Sequence, residues 1–317
     1  YFSRIYAALH GGKPVCSLLV LNPIESVWAR AYSGSFDGLS GADAEILRLE
    51  RQYAELFHIL SGNQIDFDYG EEDIMARHGK VEEGILYVGS CAYLKVLVAG
   101  MDTMRSGTLA LLEEFAAQGG EVIFAGEAPG CVDVIPSDKV AKLADRCRRV
   151  NFEEEAIAQA AGDGSQVRIT CAEPDDRSGK GISARPAHDF FVQSFQVDGG
   201  RMVMLLNVNR EKDYKGVSAD LGRGHYLELW DARTGKVIRP DYQISDGRIR
   251  LTMDLERGGE RIFLITEQCR ELPGEELFTG REPVELPETF RYRLTEPNVC
   301  ELPMVSDTDS RGSEITR

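Results

Sequence analysis

The hydrophobic pattern changes its period along the chain. Up to about residue 172, unbroken apolar runs alternate with stretches whose apolar residues recur every three or four positions. Leu18 to Leu21 is an apolar run that cannot alternate between core and solvent, so the strand predicted over Val15 to Leu21 is covered on both faces, as parallel strands are. Asp43 to Leu60 carries Ile46, Leu49, Tyr53, Leu56, Phe57 and Leu60 along one stripe, which predicts an amphipathic helix. The runs Tyr93 to Val98 and Glu121 to Ala125 enclose a helix over Leu109 to Gln118 that Gly119 and Gly120 stop. Strand, crossover helix, strand is the parallel βαβ unit. Helices over Asp138 to Arg148 and Glu153 to Ala161, an edge strand at Arg149 to Phe152 and a last strand at Gln166 to Thr170 complete this region.

Around Glu173 to Gly181 the sequence turns polar and glycine-rich, and from Asp189 the apolar period is two. Phe190 to Val197, Arg201 to Asn207, Tyr226 to Trp230, Gly235 to Ile238, Tyr242 to Ile244, Arg248 to Asp254 and Arg261 to Thr266 read as short strands, separated by turns such as Gly199-Gly200 and Asp246-Gly247. That spacing predicts an antiparallel sandwich. Beyond Glu267 the chain is acidic and dotted with proline, with one strand-like piece at Phe290 to Leu294, and Ser306 to Arg317 has too little apolar content to predict a packed segment.

The stretch Val20 to Trp28 stands at the carboxyl end of the first predicted strand, where open α/β sheets meet their ligands. Pro23 takes Asn22 out of regular geometry and opens a loop that holds Glu25, Ser26, Trp28 and Arg30, a carboxylate, a hydroxyl, an indole and a guanidinium. Aromatic faces stack on sugar C–H surfaces while carboxylate and guanidinium groups bond sugar hydroxyls, so these four are the candidate substrate-binding residues. The plainer alternative is that Trp28 fills a gap beneath its own loop. Asp66 and Asp68 form a carboxylate pair in an alternating segment, but no basic or histidine partner stands near them in sequence, which favours a solvated edge face.

A net charge of −16 disfavours nucleic acid and anionic membranes as partners. No apolar run is long enough to span a bilayer, and no signal peptide is visible. Seven scattered cysteines without a C-x-x-C pair, and histidines without metal spacing, predict free thiols, a cytoplasmic setting and neither metal nor cofactor. Phosphate loops, dinucleotide fingerprints and G-x-S-x-G elbows are missing from the sequence. Cys91 precedes a predicted strand, the wrong side for a nucleophile on a strand-to-helix turn.

Several stretches carry a family likeness: Tyr1 to Val15, Val20 to Trp28, Tyr93 to Gly100 with Thr108 to Phe124, Leu205 to Arg210 with Glu228 to Gly235, and Tyr292 to Val299. In these the chain resembles the middle and C-terminal part of large bacterial glycoside hydrolases of the β-galactosidase-like or α-L-rhamnosidase-like kind. The resemblance implies a class I glutamine-amidotransferase-like, flavodoxin-like α/β domain followed by a β-sandwich. It further implies a catalytic barrel that these residues do not contain, a saccharide bound through the complete enzyme, and contacts within a homo-oligomer. It places no catalytic residue here.

The expected organisation is a lead-in helix over 1–12, the α/β domain over 13–172, a linker over 173–188, the sandwich over 189–268 and the beginning of a further β domain over 269–317. The expected role is an accessory part of a carbohydrate-active enzyme. A separate carbohydrate-binding or oligomerisation module, and an amidotransferase-like hydrolase, are the alternatives.

Overall fold

A computed structural model describes residues 1–35, 43–162, 167–174, 182–274, 289, 306–308 and 314–316. Tyr1–Glu275 forms one compact unit and Glu276–Arg317 a second. Among the described residues no helix is long and apolar enough to cross a membrane.

Five parallel strands, Leu18–Leu21, Asp68–Gly70, Lys95–Ala99, Glu121–Ala125 and Arg148–Val150, form the α/β sheet. Numbered along the chain, their order across the sheet is 2-1-3-4-5, the flavodoxin-like arrangement. Both faces are covered. Leu19, Leu21, Val96, Val98, Val122 and Phe124 pack against Met75, Leu109, Leu112 and Phe115, while Leu18, Val20, Leu97 and Ile123 pack against Leu56, Ile59, Leu60 and Ile157. The period of two thus sends alternate residues of one apolar run into two different cores. The long helix Ala44–Gly62 begins where Asp43 caps the amides of Glu45 and Ile46, and it buries Ile46, Leu49, Leu56, Ile59 and Leu60. Its Tyr53 and Phe57 remain partly exposed and instead join a ring cluster with Phe67, Tyr69 and Phe191.

The sandwich has a six-stranded and a five-stranded sheet enclosing a core that includes Phe190, Val203, Leu205, Val217, Ile249 and Phe263. Three expectations change here. The segment predicted as the last α/β strand is Arg168–Pro174, which pairs antiparallel with Ile182–Pro186 and with Tyr214–Arg223 and so belongs to the sandwich. The supposed linker therefore carries a strand, because pairing along a sheet edge satisfies backbone groups whatever the side-chain composition. The ten-residue strand Tyr214–Arg223 was not predicted at all: register shifts at Tyr214/Val217 and Asp220/Arg223 break its alternation.

The first predicted strand is also shorter than expected. Lys13–Pro14 pairs with Phe195 and Gln196 of the sandwich, and the parallel strand begins only at Leu18. The helix Phe2–Leu9 lies on the outer face of the sandwich, with Ile5, Ala8 and Leu9 packed against Met202, Ala232, Ile262 and Leu264. In the second unit Ser306–Thr308 and Glu314–Thr316 pair antiparallel, where the sequence predicted no packed structure. The strand expected at Phe290 to Leu294 falls outside the described residues.

Candidate functional site

Strand order reverses between Leu18–Leu21 and Lys95–Ala99, so the crevice beyond their carboxyl ends is the topological switch point where such sheets bind ligands. Two segments form its walls. One is Asn22 to Tyr32 and the other Gly100 to Arg105. The first is a short helix, Ile24–Trp28, rather than the predicted open loop. Asn22 starts it by accepting from the Ile24 amide at 3.2 Å, and Pro23, whose fixed φ suits a helix entry, sits at its N-cap.

Ser26 is fully buried. Its hydroxyl accepts from the Asp102 and Thr103 amides at 2.9 and 3.2 Å and so ties the two walls together. Glu25 pairs with Arg105, whose Nε lies 2.6 Å from the Glu25 carboxylate and whose Nη1 lies 3.3 Å from Asp73. Arg30 pairs with Asp102 at 2.7 Å, and the other oxygen of Asp102 meets Arg48 at the same distance. Trp28 and Tyr32 are each 58% exposed on the same wall. The alternative in which Trp28 plugs a gap is therefore set aside: the indole faces outward.

Of the four candidates, Trp28 and Arg30 are exposed, Glu25 is half-buried against Arg105, and Ser26 joins the two segments. Sequence reasoning passed over Glu72, which is 1% exposed at the start of the helix Glu72–His78. One of its oxygens accepts from the Arg105 amide at 2.8 Å, and the other, near the Thr108 hydroxyl, makes no hydrogen bond of good geometry among the described residues. Burial pushes the Glu72 carboxyl above the ordinary range, against the opposing pull of Thr108 and Arg105. Its sequence signal is an acid in the first turn of a helix, a position the helix dipole favours whatever the function. Glu127 is exposed on the loop after the neighbouring strand, Glu121–Ala125.

This end of the sheet thus carries two exposed aromatic side chains and two carboxylates paired with arginines. Such a surface can hold a hydroxylated ligand. Among the described residues of the two walls, both carboxylates, Glu25 and Asp102, are held in ion pairs.

Asp66 and Asp68 lie at the opposite, amino end of the sheet, and they are not the solvated edge expected. Asp68 accepts from the Tyr93 hydroxyl at 2.8 Å, and Asp66 accepts from the Ser194 amide of the sandwich at 3.4 Å. Tertiary structure gives the pair a hydroxyl and a backbone amide as partners, neither of them a basic group. Cys91 begins the short strand Cys91–Tyr93, which pairs antiparallel with Ile85–Val88 near that same end, away from the switch point. Among the described residues no group of three or more His, Cys, Asp or Glu is placed to hold a metal ion.

No protein-family model and no curated protein matches the sequence. Solved structures do match. The rhamnosidase from Novosphingobium sp. PP1Y is 16% identical, with 86% of this chain and 24% of that one covered at a TM-score of 0.53. The α-L-fucosidase isoenzyme 2 from Paenibacillus thiaminolyticus is 12% identical over 83% of this chain and 51% of that one, with a TM-score of 0.48. A GH42 β-galactosidase from G. stearothermophilus is 12% identical over 83% and 42%, with a TM-score of 0.44. The chain therefore spans between 24% and 51% of these glycoside hydrolases. At such identities the likeness is one of fold, and the rhamnosidase carries it: the α/β sheet followed by a β-sandwich is an arrangement found within a larger carbohydrate-active chain.

Proposed function

We propose that this chain is a non-catalytic accessory region of a carbohydrate-active enzyme. The switch-point crevice contributes one wall of a saccharide cleft, and the reacting acids stand on a barrel that lies outside these residues. Glu25, Trp28 and Arg30 meet the sugar, Ser26 positions them, and the remaining surface serves interdomain or homo-oligomer contacts. The observation that carries this reading is the exposed indole of Trp28 beside acids already committed to arginines. An indole held open at a ligand-binding end of a sheet suits stacking on a sugar face, whereas ion-paired carboxylates suit binding better than proton transfer.

The test is enzymatic. The purified chain is expected to release no chromophore from a panel of aryl glycosides, and turnover that survives repurification would remove the proposal. In the longest polypeptide that contains these residues and does hydrolyse a glycoside, Trp28→Ala is expected to raise KM and leave kcat nearly unchanged, the signature of lost uniform binding. An unchanged KM would take Trp28 out of the cleft wall.

A further inference from the structure

A second cavity lies between the amino end of the parallel sheet and the open end of the sandwich. Its volume is about 590 Å³, within the range of small-molecule sites. The α/β side contributes Asp66 and Asp68, and the sandwich side contributes Arg201 and Ser194. Arg201 shares the inner face of its strand with Val203 and Leu205, at the end of the sandwich core. One guanidinium nitrogen of Arg201 donates across the mouth of the sandwich to the carbonyl of Leu221. The other, Nη1, is shielded from solvent and has no partner among the described residues. A buried guanidinium nitrogen without an acceptor is an unmet charge-assisted bond; because water does not reach it, a ligand carboxylate meets the guanidinium first on its cavity side, and Nη1 once its neighbours yield.

The other wall has the opposite demand. Burial, followed by the neighbouring charge of Asp68, pushes the Asp66 carboxyl from 3.8 to about 6. A cation placed between Asp66 and Asp68 would relieve both effects. The other charged or titratable groups around the cavity are Lys13, Lys95, Cys16 and Cys91. Lys95 is engaged by the Ala160 carbonyl at 3.0 Å and by Glu121 at 3.4 Å. Between the two polar walls the lining is aliphatic, including Leu18, Ile65 and Val192, and among the described lining residues there is no aromatic ring. The cavity therefore lacks the stacking face that sugars favour, and it differs from the switch-point crevice in position and in chemistry.

We propose that this cavity binds a small zwitterion, a free amino acid, with its ammonium group between Asp66 and Asp68 and its carboxylate on Arg201. The site is independent of the saccharide reading, since its test records binding and stability and no glycoside turnover.

The experiment titrates the intact chain calorimetrically with free L-amino acids of graded length, glycine to lysine, beside propylamine, propionate and galactose. At least one amino acid is expected to bind, with the three controls silent. Its affinity is expected to rise between about pH 5 and pH 7 as Asp66 loses its proton. Asp66→Asn and Arg201→Met are each expected to weaken binding by about tenfold or more, the order expected for a lost charge-assisted bond. Should Arg201→Met fold poorly, Ala92→Trp, at an exposed position of the rim, is expected to block entry while the chain stays folded. Silence across the amino acids, equal binding by Asp66→Asn, or binding of galactose in their place would each overturn the proposal.

Discussion

Asp66 shows how much one carboxyl depends on what faces it. Its pKa moves from 3.8 to about 6, chiefly through burial, although the Ser194 amide opposes the shift. Between about pH 4 and pH 6 the folded chain therefore binds more protons at this position than the unfolded chain does. The sign follows from linkage: stability falls as pH rises through that window and stays lower above it. A displacement of this size corresponds to about 3 kcal/mol at most, and partial contact with water reduces the expected effect to about 1–2 kcal/mol. Asn at position 66 keeps the acceptor for Ser194 and never ionises. Asp66→Asn should therefore be more stable than the parent by that amount near neutrality and equal to it in acid. Urea titrations across the pH range would check this, and a variant weaker than the parent at neutral pH would contradict it.

At the scale of elements, the crevice exists because one hydroxyl joins two loops. Ser26 accepts from both Asp102 and Thr103, so Ser26→Ala leaves two amides buried without partners at a cost of about 2–3 kcal/mol. Hydrogen exchange at Asp102 and Thr103 should accelerate in that variant while exchange at Val96 and Ile123, in the sheet interior, stays slow. Equal acceleration everywhere would show that Ser26 matters to global stability alone. The sequence made the parallel strands and the long helix legible because unbroken apolar runs and a stripe of Ile46, Leu49, Leu56 and Leu60 each admit one solution. The proline-broken strand end at Asn22 and Pro23 was legible as a local feature, although the segment after it is a helix and not the open loop expected. Glu72, Arg105 and Arg201 were not legible, because each draws its meaning from a partner that only the folded chain supplies. The strand Tyr214–Arg223 was hidden for a related reason: its two register shifts carry information about pairing and leave none in the hydrophobic period.

The same contrast governs the molecule as a whole, where the α/β and sandwich portions fall within one compact unit although their patterns suggested two. Gln64 is the central joint. It sits at the end of the long helix, 5% exposed, with a left-handed backbone at φ 56°. Its side-chain nitrogen, two hydrogens shared among three acceptors, lies 2.7, 3.0 and 3.1 Å from the carbonyls of Gly62, Ala187 and Phe190, and its oxygen accepts from the Ile169 amide at 3.1 Å. Three of those four partners belong to the sandwich side. A buried polar network that is fully satisfied fixes one geometry, and shortening its central member leaves several groups without partners. Gln64→Asn is the informative change, since asparagine tolerates the left-handed backbone and lacks one methylene of reach. The parent chain should melt its first 275 residues in a single calorimetric transition. Gln64→Asn should lose about 2–4 kcal/mol and separate that transition into two, the α/β portion and the sandwich each unfolding around its own core. A single transition lowered in temperature but undivided would mean that the strand pairing of Lys13 and Pro14 with Gln196 and Phe195 is enough to couple the two portions, and that Gln64 adds stability without supplying the joint.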